Sequence, residues 1–296
     1  MPWRITESLA EFEAAAGGFL AADPVRNTLL LTIPAALRRR GMDAFGDAPP
    51  RFGWFARSGS GPAARDLAAN VRAAFVQTPP HPLVLGAAPP RSAAALAVDL
   101  CALDTPVSSI NAPTRVAESF AKAWCARTGA RPIPRIRMRL YQLETLRAPD
   151  PPPRGRARTA AASDRALITR WYGEFADEAE PSREAAGSRR PAPVVDQIAH
   201  RSITLWEADG EPVSLAYAGP PAFGVSRIGP VYTPPSARRQ GFAAAVTAAA
   251  CLAASGAGAA EVVLFTDLDN PTSNGVYQRI GFRPVEDRAL LDLEAG

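Results

Sequence analysis

The chain has 296 residues, 47% of them hydrophobic and 21% charged, which is a globular rather than a disordered composition. No apolar run reaches the ~18–20 residues of a membrane span. Three scattered cysteines (Cys101, Cys125, Cys251) and two histidines (His81, His200) exclude a disulfide framework, a CxxC zinc site and a His-rich centre, so no metal is expected.

The net charge of +4 is unevenly spread. Residues 1–150 hold 18 basic and 12 acidic groups, residues 151–296 hold 15 and 17, and Lys122 is the single lysine. With so much alanine, proline and glycine, the arginine excess reads as the bias of a GC-rich bacterial genome, and no nucleic-acid partner is expected. Acids near the N-terminus argue against an export signal. A cytoplasmic protein without a membrane partner is therefore expected.

In chain order, helices are predicted at Thr6–Ala16 and Asn27–Arg39, then strands at Arg51–Arg57 and Ala73–Gln77. Helices at Ser92–Leu103 and Thr114–Thr128 precede a strand at Arg137–Glu144. The stretch Arg147-Ala-Pro-Asp-Pro-Pro-Pro-Arg-Gly-Arg156 reads as a semi-rigid, solvated spacer, because consecutive prolines lack donors and favour extended geometry. It divides the chain into 1–146, a linker at 147–156, and 157–296.

After it come a strand at Ala157–Ala162 and a helix capped by Ser163, with an apolar stripe of Leu167, Ile168, Trp171, Tyr172 and Phe175. An acidic run follows (Glu174, Asp177, Glu178, Glu180, Glu184), then a helix at Pro193–His200. Strands at Ile203–Trp206 and Val213–Ala218 flank an Asp209-Gly210 hairpin signal. A strand at Val225–Tyr232, an alanine-rich helix at Gly241–Ala254, a strand at Glu261–Thr266, a helix at Pro271–Arg279 and a strand at Arg288–Leu293 complete the order. The fold class is α/β (α+β): two mixed, mostly antiparallel sheets flanked by helices.

Two segments carry chemistry. In Tyr232-Thr-Pro-Pro-Ser-Ala-Arg-Arg-Gln-Gly-Phe-Ala243 a strand ends at two prolines, an arginine-bearing turn follows, and Gly241 opens a helix. A helix N-terminus leaves unpaired amides and a partial positive charge, and small Gly241 and Ala243 let an anion approach. The alternative is a structural turn and cap. In the second segment, Asn270 before Pro271 is a strong N-cap, Asn274 and Tyr277 share a helix face, and Gly281-Phe282 starts the next strand.

Together these segments resemble the GNAT superfamily of acyl-CoA-dependent N-acyltransferases. Its phosphate loop is matched by Arg238, Gly241 and Ala243, and its second signature by Asn270, Asn274, Tyr277, Gly281 and Phe282. The resemblance covers about residues 157–296. In the first half it rests on element order alone: Pro89–Ala93 stands where a phosphate loop would be but lacks the glycines. The first half is thus read as a degenerate second copy.

The resemblance implies acetyl-CoA as cofactor, held at Val231, Tyr232, Arg238, Arg239, Gln240, Gly241, Phe242, Ala243, Asn270, Asn274 and Tyr277. It implies transfer of the acetyl group to a primary amine by direct attack. Tyr277 would protonate the leaving thiolate or pack against the core. Asn270 would bond the cofactor's amides or only cap its helix. Glu174, Glu178, Asp267 and Asp269 are candidate bases, the last two more readily read as turn supports. The acidic run would draw a cationic acceptor or simply be a solvated helix end. An acyl-CoA sensor without turnover is the alternative function.

Overall fold

The computed structural model describes residues 3–56, 70–179 and 194–295. Arg57, Glu180, Glu184 and Pro193, each part of an expectation above, lie outside the described residues. By contacts the chain divides into one unit of Met1–Arg139 with Glu286–Gly296, and a second of Leu140–Val285.

The first unit contains β1 (Arg4–Thr6), α1 (Leu9–Ala21), α2 (Thr28–Arg40), β2 (Arg51–Ala56), β3 (Val71–Gln77), β4 (Leu83–Leu85), α3 (Pro90–Ala102), β5 (Ser109–Pro113) and α4 (Thr114–Thr128). β1 to β4 pair antiparallel in sequence, and β4 pairs parallel with β5. The far end of β12 (Phe282–Glu294) then pairs antiparallel with β5, Arg288 opposite Pro113. Alternation along β3 sends Ala73 and Phe75 to a core shared with α3 and α4. It sends Ala74 and Val76 to a core shared with α1 and α2.

A charged side chain is also buried in this unit. Arg288 is 2% exposed. Its guanidinium donates to the Leu85 carbonyl at 3.0 Å, to the Asn111 carbonyl at 3.1 Å and to Asn111 Oδ1 at 3.0 Å, and it pairs with Glu286 at 3.0 Å. Leu85 and Asn111 stand at the end of the β4–β5 pairing, whose last partners are Val84 and Asn111. The buried arginine therefore ties together the carbonyls at the end of two parallel strands.

The second unit contains the end of β6 (Arg131–Leu143), β7 (Arg156–Thr159), α5 (Arg165–Ala179), α6 (Val194–Ala199), β8 (Ile203–Ala208), β9 (Glu211–Ala218), β10 (Val225–Tyr232), α7 (Phe242–Gly256), β11 (Glu261–Asp267), α8 (Pro271–Arg279) and the start of β12. Strands β7 to β10 pair antiparallel, β10 and β11 pair parallel, and β6 lies beside β11. Leu215 and Tyr232 face the core under α5, while Ala216 and Ile228 face the core under α7. The two helices thus cover opposite faces. Both units follow one order here, a parallel strand pair joined by a helix crossover: β4–α3–β5 in the first and β10–α7–β11 in the second.

Three expectations need correction. Ser163 does not cap α5. Ala162–Asp164 is a short 3-10 turn, and Asp164 accepts from the Ala161 amide at 2.7 Å and takes both Nη atoms of Arg158 at 2.7 and 2.9 Å. The carboxylate wins because it satisfies the amide and a buried-edge arginine together. The 147–156 stretch is not merely solvated. The Trp206 indole donates to the Arg154 carbonyl at 2.9 Å, and Arg154 pairs with Asp209 at 2.7 Å. Finally, the strand predicted to start at Arg288 begins at Phe282, directly after the helix, and three short strands (β1, β4, β5) were not predicted.

Candidate active site

The site is built where β10 and β11 part. Their parallel register runs from Val225↔Glu261 to Ile228↔Leu264. Beyond it β10 continues to Tyr232 and β11 to Asp267, with no further pairs between them. The β10–β9 ladder also shifts register between Ile228 and Val231. Such irregularities re-aim a strand next to a site. Val231 and Tyr232 lie on this separated end.

From Tyr232 the chain passes through a 3-10 turn at Pro235–Ala237 to Arg238, and then into α7. Arg239 has φ +61° and Gly241 φ +83°, so two left-handed residues bracket Gln240. Such alternation turns successive amides inward into an anion-binding concavity. α7 follows with Gly241 as N-cap and no side chain capping it, which leaves its first-turn amides without intrahelical partners. A Cβ on Gly241 would meet Pro153 at 3.6 Å, so the linker borders the loop and the cradle is already narrow. Phe242 is buried against Ala208 and Ala237, so only its amide faces the loop. Ala243 is half-buried, while Arg239, Gln240 and Gly241 are exposed. These residues fit a pyrophosphate, since amides and one exposed cation converge where no side chain intrudes.

Arg238 points elsewhere. Its Nη2 takes both oxygens of Glu178 at 2.6 and 2.7 Å, its Nε donates to the Thr233 carbonyl at 2.9 Å, and its guanidinium lies 6.0 Å from the Tyr232 ring centre. The sequence assigned Arg238 to the cofactor; the structure joins it to the α5 carboxylate.

On the α5 side lies a cleft of about 690 Å³ lined by Trp171, Glu174, Asp177, Glu178, Glu211 and Tyr232, among others. Tyr232 is buried, tilted against Trp171 at 6.0 Å, and donates to Glu174 Oε2 at 2.9 Å. Burial first, and then the Glu174 carboxylate, push its hydroxyl up to about 12. Arg170 is 3.6 Å from Glu174. The acidic run of α5 is therefore one wall of a cleft, and Glu211 joins it from β9.

The second signature does different work. Asn270 Oδ1 accepts from the Ser273 amide at 3.0 Å, so its side chain caps α8. Asn274 Nδ2 donates to the carbonyls of Asp267 and Asn270, both at 2.7 Å, and its Oδ1 accepts from Tyr141 at 2.9 Å. The Asn274 amide is thus engaged at both ends, whereas Asn270 uses its oxygen for the cap. Asp267 accepts from the Asp269 amide at 2.8 Å and supports the turn. Sequence reasoning missed Tyr141, because nothing local marks a strand tyrosine as the partner of a helix asparagine.

Tyr277 packs edge-on against Phe282 at 6.1 Å, in the core under α7. Burial, helped by nearby Cys251, pushes its hydroxyl up to about 12. It is not among the residues lining the α5 cleft. Gly281 ends α8 with φ +108°, and a Cβ there would lie 1.9 Å from the Thr145 carbonyl, so no other residue fits. Among the described residues no group of His, Cys, Asp and Glu could hold a metal. No helix there is long and apolar enough to cross a membrane.

The family model described as Acetyltransferase (GNAT) family matches residues 168–282, the stretch that contains the cleft, the loop and α8. Among solved structures, the chain is similar to a GNAT-family acetyltransferase from Colwellia psychrerythraea. Identity is 12%, coverage is 99% of this chain and 100% of that one, and the TM-score is 0.56. It is also similar to a GCN5-related N-acetyltransferase from Sphaerobacter thermophilus (16%; 99% and 96%; 0.60). A Drosophila protein gives 14%, 98% of both chains and 0.62. At these identities the likeness is one of fold, and it extends over both units. No curated protein matches the sequence.

Proposed function

We propose, from the match of residues 168–282 to the GNAT acetyltransferase family model, that the chain transfers the acetyl group of acetyl-CoA to a primary amine by direct attack. The observation that carries this is the left-handed Gly241 opening an uncapped α7 beside the parted ends of β10 and β11. Acetyl-CoA would bring an activated thioester with a good leaving group. The amides of Arg239–Ala243 would bind its pyrophosphate. One free amide at the parted end of β10, that of Val231 or of Tyr232, would donate to the carbonyl oxygen where charge develops.

Tyr277 would hold a proton for the departing sulfur, because a hydroxyl near 12 keeps its proton at any physiological pH. Glu174 and Glu178 would take the proton of the attacking ammonium, directly or through water, and the acidic cleft would draw a cationic acceptor. The repeated strand–helix–strand order supports reading the first unit as a second copy without the chemistry. Its α3 starts at Pro89-Pro90, where Pro90 has no amide hydrogen to offer and the Ser92 and Ala93 amides are taken by the Pro89 carbonyl.

The test is thiol release from acetyl-CoA by the full chain with amines of graded charge. Turnover is expected, and faster for cations carrying a second positive group than for neutral or anionic amines. Binding of acetyl-CoA without thiol release on any acceptor would replace this reading with that of a sensor.

A further inference from the structure

Arg238 belongs by sequence to the phosphate loop and by contact to the acceptor cleft. It stands three positions before Gly241, yet both oxygens of Glu178 hold its guanidinium. Both side chains are nearly half exposed, 42% for Arg238 and 47% for Glu178, so the pair can open without disturbing the core. Glu178 lines the cleft beside Glu174 and Tyr232, and the Arg238 guanidinium stands over the Tyr232 ring. A single exposed cation between two anionic claimants is a competition. A carboxylate on one side and a pyrophosphate on the other cannot both hold the same guanidinium in full.

We propose that Arg238 couples the two halves of the site. It neutralises Glu178 until a donor pyrophosphate draws it to the loop, and its departure uncovers Glu178 for a cationic acceptor. That departure would raise the negative charge of the cleft at the moment the amine is needed. This rests on the loop reading above. It makes Arg238 a positioning residue, acting on the acceptor through Glu178.

The pair's sign makes the test specific. Removing Glu178 removes the competitor, so Glu178→Gln should tighten acetyl-CoA binding, whereas loss of a merely structural contact would weaken it or leave it alone. An exposed pair of this kind predicts a change of about two- to fivefold. Arg238→Ala should weaken binding, and in that background Glu178→Gln should have no effect. Titration calorimetry with acetyl-CoA on the full chain and the three variants reads all of this, with circular dichroism to check folding. Unchanged or weaker affinity in Glu178→Gln overturns the coupling. So does equal tightening with and without Arg238, which would mean simple long-range repulsion. Failure of the unsubstituted chain to bind acetyl-CoA overturns the loop reading and this one together; the other two outcomes overturn the coupling alone.

Discussion

The Tyr141 hydroxyl donates to Asn274 Oδ1 at 2.9 Å and accepts from Gln278 at 2.9 Å, so a buried strand residue fixes two positions of α8 at once. Asn274 in turn holds the Asp267 and Asn270 carbonyls. Asn274→Ala removes one partner from each of three polar groups and should cost about 1–3 kcal/mol. Tyr141→Phe should cost about 1 kcal/mol, because Asn274 keeps its other bonds. Urea denaturation of the two variants and of the double variant checks this; a double variant no worse than Asn274→Ala is the expected result. Equal effects for both single variants would place the weight on Tyr141 instead.

Tyr277→Phe should lower kcat by about 100-fold or more while acetyl-CoA affinity changes little. The pH profile supplies a second check. A hydroxyl pushed up to about 12 is protonated throughout the neutral and mildly alkaline range, so no loss of activity from this group should appear below about pH 11. A fall near pH 10 that disappears in Tyr277→Phe would mean that the hydroxyl is solvated in the working enzyme.

Gly241→Asp should abolish acetyl-CoA binding by placing a carboxylate among the loop amides. Gly241→Ala separates charge from shape. At φ +83° an alanine is strained by about 1 kcal/mol, and its Cβ would meet only Pro153 at ordinary contact distance. Affinity should fall modestly and not vanish. Calorimetry distinguishes the two outcomes, and full affinity in Gly241→Asp would sink the loop assignment.

Much of this was legible in the sequence because it is locally coded. Asn270-Pro271 and Gly281 bracket α8 at the predicted residues, and β10 and α4 also keep their predicted bounds. β4 and β5 were not legible, since Leu83–Leu85 has no alternation and Ser109–Pro113 ends in proline; pairing with neighbours makes them strands. Ser163 lost its cap to Asp164 because Arg158 and Glu207 lie on neighbouring strands that local pattern cannot place. The contact of Arg238 with Glu178 was not legible for the same reason: Glu178 is distant in sequence, and no spacing rule connects them.

Arg158 makes acid stability predictable. It holds Asp164 and Glu207 below the usual carboxylate range, first through hydrogen bonds and then through charge. A carboxylate lowered in the folded state contributes stability above its unfolded value, about 4, and loses it as pH falls through the folded one. Tm should therefore drop on acidification below about pH 5, and Arg158→Met should flatten that drop while lowering Tm at pH 7. An unchanged slope in the variant would assign the acid sensitivity to other pairs.

Arg288 bears on the order in which the molecule can be made. The strand that carries it, and that pairs with β5, is synthesised only after the whole second unit. Until then the first unit lacks both a strand of its sheet and the cation that satisfies the Leu85 and Asn111 carbonyls. On the ribosome, the half translated first is consequently the half completed last. It waits, with an exposed edge along β5, for residues that follow the whole second unit in sequence.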